Sequence, residues 1–163
     1  MKQSISFIMI LCLLLSGCTL SGERIKEPVT FYYLRSDYNF FAEENIFVSE
    51  EKEASGHRED LSYLLRLYQM GPSSEGLVSP LPRGTKITLK QQTERSVRIE
   101  MSGNPQNMTD IDYSLACSCI ALTCFDLTNA NTVIITNGER SLTLTRDTLI
   151  LYDTNENPGE EPQ

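Results

Sequence analysis

The segment from Leu67 to Ile87, LYQMGPSSEGLVSPLPRGTKI, constrains the fold more than any other part of the chain. It gathers three glycines and three prolines directly after an apolar segment and directly before residues that alternate between polar and apolar. Proline cannot continue a helix, and glycine accepts backbone conformations that other residues avoid. The chain must therefore leave a helix here and enter a strand, which predicts a fold containing both.

The helix before this segment is predicted from the spacing of its apolar residues. Four large side chains follow the i, i+3, i+4, i+7 pattern of an amphipathic helix. They are Leu61, Leu64, Leu65 and Tyr68. Gly71 stands just past the helix, where glycine commonly takes the left-handed cap conformation, and Pro72 prevents continuation. We therefore expect the helix to end at about residue 70.

A second helix is predicted to begin at Thr109 and to run to about Asp126. Thr109 with Asp112 three residues later resembles a capping box, in which the threonine hydroxyl accepts a backbone N–H of the first turn. One face of this helix is predicted to be apolar. Its residues are Ile111, Leu115, Cys119 and Leu122.

The rest of the domain is predicted to consist of strands separated by loops. Alternating or β-branched residues predict strands in VTFYYLR, TKITLKQQ, RSVRIEM, TVIITN, SLTLT and TLILYD. The segment SEEKEASGHRE, residues 49–59, is predicted to be a solvated charged loop, because runs of charge are usually exposed. The order of elements predicts an α+β fold with two helices packed on one mostly antiparallel sheet.

The N-terminus resembles a bacterial lipoprotein signal. Lys2 precedes an apolar run from Ile5 to Leu15, which is shorter than the ~20 residues that span a bilayer. The sequence Leu-Ser-Gly-Cys at 15–18 resembles a lipobox, which implies cleavage before Cys18 and a lipid on its sulfur. The alternative is an ordinary secretory signal. The organisation predicted is a signal peptide at 1–17, the lipidated Cys18 with a spacer to residue 27, a domain at 28–153, and a disordered acidic tail at 154–163.

Cysteines and charge exclude several classes of function. Cys117, Cys119 and Cys124 lie on the second predicted helix, where Cys117 and Cys119 point to different sides and should not form a disulfide. No histidine is near them, so we predict buried hydrophobic side chains and no metal site. The formal net charge of −8 argues against nucleic acid, whose phosphates require clusters of lysine and arginine.

The glycine–proline segment does not have the arrangement of a phosphate-binding loop. Such a loop connects a strand to a helix, so that backbone N–H groups at the helix N-terminus face the anion. Here the glycines follow a helix and precede a strand, and Leu77-Val78 stand after Gly76 where a P-loop has lysine and serine or threonine. We therefore interpret the segment as a structural turn, stiffened by Pro80 and Pro82.

The stretch LLRLYQMGPSSEGLVSPLPRGTKI resembles the signature of the GerMN domain, also called the sporulation and spore germination domain. That family has a leucine-rich helix, Gly-Pro, Gly-Leu, a Ser-x-Leu/Ile-Pro element, and Gly-Thr before a strand. The matching positions here are Leu64, Leu65, Gly71, Pro72, Gly76, Leu77, Leu81, Pro82, Gly84 and Thr85. The resemblance extends over about Pro28 to Asp153, and the cysteine-rich second helix departs from the family's pattern.

The resemblance implies a single GerMN-like domain that acts as a non-catalytic interaction module on the extracytoplasmic face of the cell membrane. Its partner would be another extracytoplasmic protein or a copy of itself, with a link to sporulation or germination and with no cofactor. The residues favour no enzyme either: His57, the only histidine, lies in a charged segment, and the acidic runs are typical of solvated surface.

A second hypothesis remains open from the residues alone. The chain could bind a small ligand or a cell-wall fragment on an aromatic platform. That platform would consist of Tyr32, Tyr38, Phe40 and Phe41. A concave pocket beside these aromatics would favour binding, and a flat sheet with an exposed edge would favour assembly.

Overall fold

The computed structural model describes residues 25–39, 45–104, 107–138 and 140–149 of the chain. The predicted signal segment, Cys18 and nearly all of its spacer lie outside these residues, as do Phe40, Phe41 and the predicted acidic tail. Apart from the gaps, the domain is described from Pro28 to Leu149. No helix among the described residues is both long enough and apolar enough to cross a membrane.

The described residues form seven strands and two α-helices. In chain order they are β1 (Pro28–Arg35), β2 (Phe47–Glu53), α1 (Leu61–Gln69), β3 (Leu77–Val78), β4 (Lys86–Gln92), β5 (Ser96–Ser102), α2 (Asp110–Leu127), β6 (Thr132–Thr136) and β7 (Ser141–Thr145), followed by a 3-10 turn at Arg146–Thr148. This confirms the α+β class and both predicted helices.

The strands form two sheets, where the sequence predicted one. The first sheet has the order β2-β1-β3 and is antiparallel, and the second has the order β4-β5-β6-β7. In the second sheet only β5 and β6 run parallel, with α2 as the connection between them. Between the two sheets, α2 contacts β1: the backbone N–H of Tyr32 donates to the hydroxyl of Thr123 on α2 at 3.0 Å.

Helix α1 has the one-sided pattern that its sequence predicts. Its buried residues are Leu61, Leu64, Leu65 and Tyr68. Asp60 caps its N-terminus by accepting the backbone N–H of Tyr63 at 2.9 Å. At its other end the Gln69 side-chain amide accepts from the N–H of Ile87 at 2.9 Å and donates to the Ile87 carbonyl at 3.2 Å. Gln69 thereby gives β4 the pair of hydrogen bonds that a neighbouring strand would supply.

Helix α2 is buried around most of its circumference, which its predicted single apolar face did not anticipate. The predicted cap is present, because the Thr109 hydroxyl accepts the N–H of Asp112 at 3.1 Å. On the predicted face, however, Ile111 is 60% exposed. Residues outside that face are buried as well, among them Ala116, Cys117, Ile120 and Cys124. The reason is tertiary: α2 packs against β1 and also against β6 and β7.

Strand β2 corrects the first part of the solvated loop predicted at residues 49–59, whereas residues 55–59 form exposed turns as predicted. Its residues pair with β1 along the whole strand, with Glu50 opposite Phe31 and Lys52 opposite Val29. Directly paired residues in an antiparallel sheet point to the same face, so Glu50 and Lys52 lie on the core side. Glu50 is only 7% exposed, whereas Glu51 and Glu53 are exposed. Four charged residues therefore form a strand with one of them buried.

Candidate functional site

The glycine–proline loop, residues 71–85, runs from the end of α1 to the start of β4. Gly71, Gly76 and Gly84 have φ angles of +84°, +81° and +83°, in the left-handed region that favours glycine. The N–H of Gly71 donates to the carbonyl of Tyr68 at 3.0 Å, which closes the last turn of α1. These angles explain why the motif needs glycine at its turning points.

The start of the loop binds a carboxylate, and the carboxylate belongs to the same chain. The backbone N–H groups of Ser73 and Ser74 donate to Oε1 of Glu50 at 2.8 and 2.7 Å, and the Ser74 hydroxyl donates to it at 2.8 Å. Amide groups that could have held an external anion are thus occupied by the Glu50 side chain. The geometry gives a second reason, beside the order of elements, against a phosphate-binding loop.

Lys52 completes this contact, which we call the Glu50 latch: Glu50, Lys52, Ser73 and Ser74. The Lys52 ammonium lies 3.5 Å from Oε2 of Glu50 and donates to the Gly71 carbonyl. Burial alone would raise the pKa of Glu50, but the Ser74 hydroxyl, the two loop amides and Lys52 outweigh it and hold that pKa below its ordinary value of 4.5. Glu50 is therefore ionised at neutral pH and stabilises the loop through charge-assisted hydrogen bonds.

The second half of the loop is held by the core and by a close backbone approach. Leu77 and Leu81 are partly buried and pack against the main core. At Gly84 the loop meets Gly103: a Cβ atom added to Gly103 would collide with the Gly84 carbonyl oxygen. Gly103 also has a φ of +94°, so two independent constraints require glycine there.

A concave groove lies beside this loop, and we call it the Val78 groove. Its volume is about 350 Å³. Apolar wall residues are Leu34, Val78, Pro80, Pro82 and Met108, with Tyr38 beside them, and the polar rim consists of Ser79, Asn104, Asn107 and Asp112. The groove therefore joins the first sheet, the glycine–proline loop and the first turn of α2.

The aromatic platform predicted from the sequence does not form as a unit. The Tyr32 hydroxyl donates to Asp126 at 3.1 Å, near the C-terminus of α2, and burial together with Asp126 raises the pKa of Tyr32 to about 12. Tyr38 instead packs on the small cluster of Leu34, Leu115 and Cys119 and lines the groove by Asp112. Asp112 and Asp126 are fourteen residues apart on one helix, or about 21 Å. The two tyrosines therefore lie at different ends of α2.

A larger cleft lies at the other end of α2, and we call it the Arg95 cleft. Its volume is about 1120 Å³. Polar side chains dominate its lining, including Arg58, Gln92, Arg95, Asp126, Asn129 and Asn131. The lining combines guanidinium, carboxylate and amide groups without a described aromatic ring among them, and every one of these six residues is exposed.

The three cysteines of α2 are buried and free. Burial raises the pKa of the Cys117 and Cys124 thiols to about 12 and raises that of Cys119 well above its ordinary value, so all three remain protonated at neutral pH. Across the described part of the chain, no group of three or more His, Cys, Asp or Glu side chains could hold a metal ion. His57 stacks on the ring of Tyr63, with centroids 4.1 Å apart.

Sequence reasoning missed Glu50, Lys52 and Gly103, which lie outside the loop and hold it in place. A charged strand such as β2 gives no local signal that one of its four charges is buried. Gly103 could have been singled out only by supposing that a second glycine must approach Gly84.

Among known proteins, solved structures show a similarity to this chain. No family model and no curated protein matches the chain. In structure it is similar to the tandem GerMN domains of the sporulation protein GerM from Bacillus subtilis, with a TM-score of 0.46 and 21% sequence identity. The similarity covers 69% of this chain and 39% of that chain, so this chain spans about two fifths of the other.

Proposed function

We propose that this chain is an extracytoplasmic lipoprotein, anchored in the cell membrane through Cys18, whose α+β domain is a non-catalytic protein-interaction module. The anchor is supported by the lipobox resemblance at 15–18. The sporulation or germination link is supported by the residues of the glycine–proline loop that resemble the GerMN signature. Its partner is another extracytoplasmic protein or a second copy of the chain.

The observation that carries the interaction role is the Val78 groove, with its pre-formed loop wall, beside the edge strand β3. The groove is concave and Tyr38 lines it, but its volume of about 350 Å³ and its place at a sheet edge suit a polypeptide side chain better than a cell-wall fragment. The Glu50 latch and the Leu77 and Leu81 contacts order the loop before any partner arrives. Ordering a flexible loop on binding costs free energy, so a wall that is already ordered favours binding. The carboxylates near these elements already have internal partners: Glu50 has Ser73 and Ser74, Asp110 has Arg140, and Asp112 has the Thr109 hydroxyl. This pattern supports a scaffold role over acid–base chemistry.

The anchor is tested by labelling growing cells with a fatty-acid probe. The wild-type chain should incorporate the probe and sediment with membranes, and Cys18→Ala should do neither. Cys12→Ala, in the predicted signal segment, is the matched control and should leave labelling unchanged. Equal labelling of wild type and Cys18→Ala would contradict the lipoprotein proposal.

The interaction role is tested separately, by chemical crosslinking of the full chain in its native membrane. Specific adducts with another extracytoplasmic protein or with a second copy are expected. If no adduct forms while the purified chain binds a glycan tightly, the interaction proposal is wrong.

The sporulation link needs a genetic test. Deleting the gene from a host that forms spores should lower the number of heat-resistant or germinating spores, and a plasmid copy should restore it. Unchanged spore counts would contradict the sporulation link. They would not affect the interaction role, which the crosslinking experiment tests.

A second candidate function, binding of a cell-wall fragment, is favoured by the Arg95 cleft. Its guanidinium, carboxylate and amide groups are those that hydrogen-bond sugar hydroxyls and peptide groups. Titration of the full chain with an N-acetylglucosamine oligosaccharide tests it. Binding that is weakened at least tenfold by Arg95→Ala, and not by Arg98→Ala on the neighbouring strand, would favour this function over protein interaction.

A further inference from the structure

The Val78 groove combines three features that together specify a ligand: an apolar wall, hydrogen-bonding groups at its rim, and the negative charge of Asp112. We infer that it binds an extended polypeptide segment of the partner, with an apolar side chain in the groove and a lysine or arginine beside it. This inference rests on the proposed interaction function and names the surface and chemistry through which it acts.

Val78 gives the groove an apolar surface that a partner side chain can cover. This residue is 39% exposed although it belongs to a strand, and it lies among the groove's proline, leucine and methionine side chains. A groove of about 350 Å³ is at the lower end of the size range of ligand pockets and suits one or two side chains rather than a large cofactor. An apolar side chain of a partner would remove both Val78 and itself from water.

Strand β3 lies at a sheet edge that an extended polypeptide can pair with. It pairs with β1 through Leu34–Val78 and Arg35–Leu77, and in the described residues it is the last strand of its sheet. An extended peptide can add to such an edge through main-chain hydrogen bonds, while alternate side chains fill pockets beside it. Asn104 and Asn107 bring side-chain amides to the rim, and each amide can both donate to and accept from a peptide backbone.

The charge of the partner follows from Asp112. Its carboxylate lies at the rim, where Oδ2 accepts the Thr109 hydroxyl at 2.7 Å. Asp110, two residues earlier, already forms a salt bridge with Arg140 at 3.0 Å, whereas within the described ranges Asp112 has no cationic partner. The chain as a whole carries a net charge of −8. A basic residue next to the apolar anchor therefore complements the groove, and an acidic one would be repelled.

The Arg95 cleft does not compete for the same ligand. Its lining is mostly polar, and it lies at the opposite end of α2. An extended peptide with an apolar anchor would find only two apolar residues there, Leu127 and the buried Leu61. The two sites consequently predict different ligands and can be tested with different variants.

The test begins with the photoreactive residue p-benzoylphenylalanine, placed at Val78 in the full chain in its native membrane. Thr88, exposed on β4 in the second sheet, is the matched control position. Irradiation should give a protein adduct from position 78 and not from position 88. Mass spectrometry should map the adduct to one segment with an apolar residue within about two positions of a lysine or arginine.

A synthetic peptide of the mapped segment then measures binding to the detergent-solubilised full chain. Val78→Asp should weaken binding by about tenfold or more, as for a buried anchor, and Thr88→Asp should leave it unchanged. Asp112→Asn retains an oxygen acceptor for Thr109, so it tests charge with little effect on the helix cap. It should weaken binding several-fold and reduce its dependence on salt concentration.

The outcomes separate this inference from the function on which it rests. Adducts from position 88 alone, or a mapped segment without a basic residue, would overturn the groove or its chemistry and leave the interaction role standing. An absence of adducts from both positions, together with no chemical crosslink at any surface of the chain, would overturn both. Equal binding by wild type and Val78→Asp with unchanged melting temperature would place the peptide elsewhere.

Discussion

The glycine–proline loop and strand β2 are joined through the Glu50 latch, yet they acquire their conformations by different physical routes. In the loop, three glycines take positive φ angles and prolines restrict the chain between them, so the backbone itself favours the turns. Strand β2 has four charged residues among seven, and its conformation comes from pairing with β1. The loop side of the contact is thus built from residues with a local conformational preference, and the β2 side from residues without one.

The latch shows what this difference means for stability. The loop contributes two backbone N–H groups, which any turn of this shape would present, and the Ser74 hydroxyl. Strand β2 contributes the carboxylate, which only Glu50 can supply. Changes in the loop should therefore act through backbone strain, and changes in β2 through lost hydrogen bonds and charge.

Replacing Gly103 by alanine should lower the free energy of unfolding by about 3–4 kcal/mol, because the new methyl group meets the Gly84 carbonyl and the φ of +94° is unfavourable for alanine. Gly138→Ala is the control: its φ is +86°, but no atom lies within 4 Å of the added Cβ. It should cost about 1–2 kcal/mol. Urea unfolding measures both, and equal losses would mean that the Gly84 contact contributes nothing.

Replacing Glu50 by glutamine should cost about 2 kcal/mol, because the charged acceptor of three hydrogen bonds becomes neutral in a buried position. Glu51→Gln changes the exposed neighbour on the same strand and should alter stability by less than about 0.5 kcal/mol. The comparison is made by thermal unfolding at neutral pH. A Glu50→Gln variant as stable as Glu51→Gln would show that the latch does not hold the loop.

Replacing Gly71 by valine should cost about 1–2 kcal/mol, since a β-branched residue is forced into the left-handed conformation at the end of α1. The nearest atom to the added Cβ is 4.0 Å away, so the cost is one of backbone conformation alone. Asparagine tolerates this conformation better, and Gly71→Asn should recover part of the loss. A valine variant with an unchanged melting temperature would contradict the cap.

The smallest effect is the pH dependence of the latch. The folded-state pKa of Glu50 lies below its ordinary value, so its contribution is present above about pH 4.5 and is lost as the pH falls through the folded-state pKa. The stability gap between wild type and Glu50→Gln should therefore be constant from pH 7 to 5 and narrow at lower pH. A gap that stays constant down to pH 2 would mean that charge plays no part.

A large part of the fold could be predicted from the sequence because its signals are local. The apolar spacing of α1, the capping residues of α2 and the β-branched strands each depend on neighbours within a few residues. The loop residues of the candidate groove, Val78 to Pro82, also belong to a segment whose turns could be predicted from its glycines and prolines. The other side of the groove was not predicted, because Asn104, Asn107 and Asp112 come from a distant part of the chain.

The errors have a common physical cause. A helix that contacts elements on several sides loses the one-sided pattern, so the face predicted for α2 captured only part of its buried surface. Likewise, a charged strand looks like a solvated loop until its partner strand and the loop amides that receive Glu50 are known. Tyr32 and Tyr38, six residues apart in sequence, were grouped into one platform although they contact opposite ends of α2.

The sequence by itself determined that the chain alternates between helix and strand, where α1 ends, and that glycine is needed at the turns of the loop. These follow from backbone sterics and from periodicity, which act over a few residues. Only the tertiary structure decided that the strands divide into two sheets, that Glu50 is the anion bound by the loop, and that Val78 lines a groove with Asp112 at its rim. Such features depend on which distant segments pack together, and side-chain type alone does not specify that.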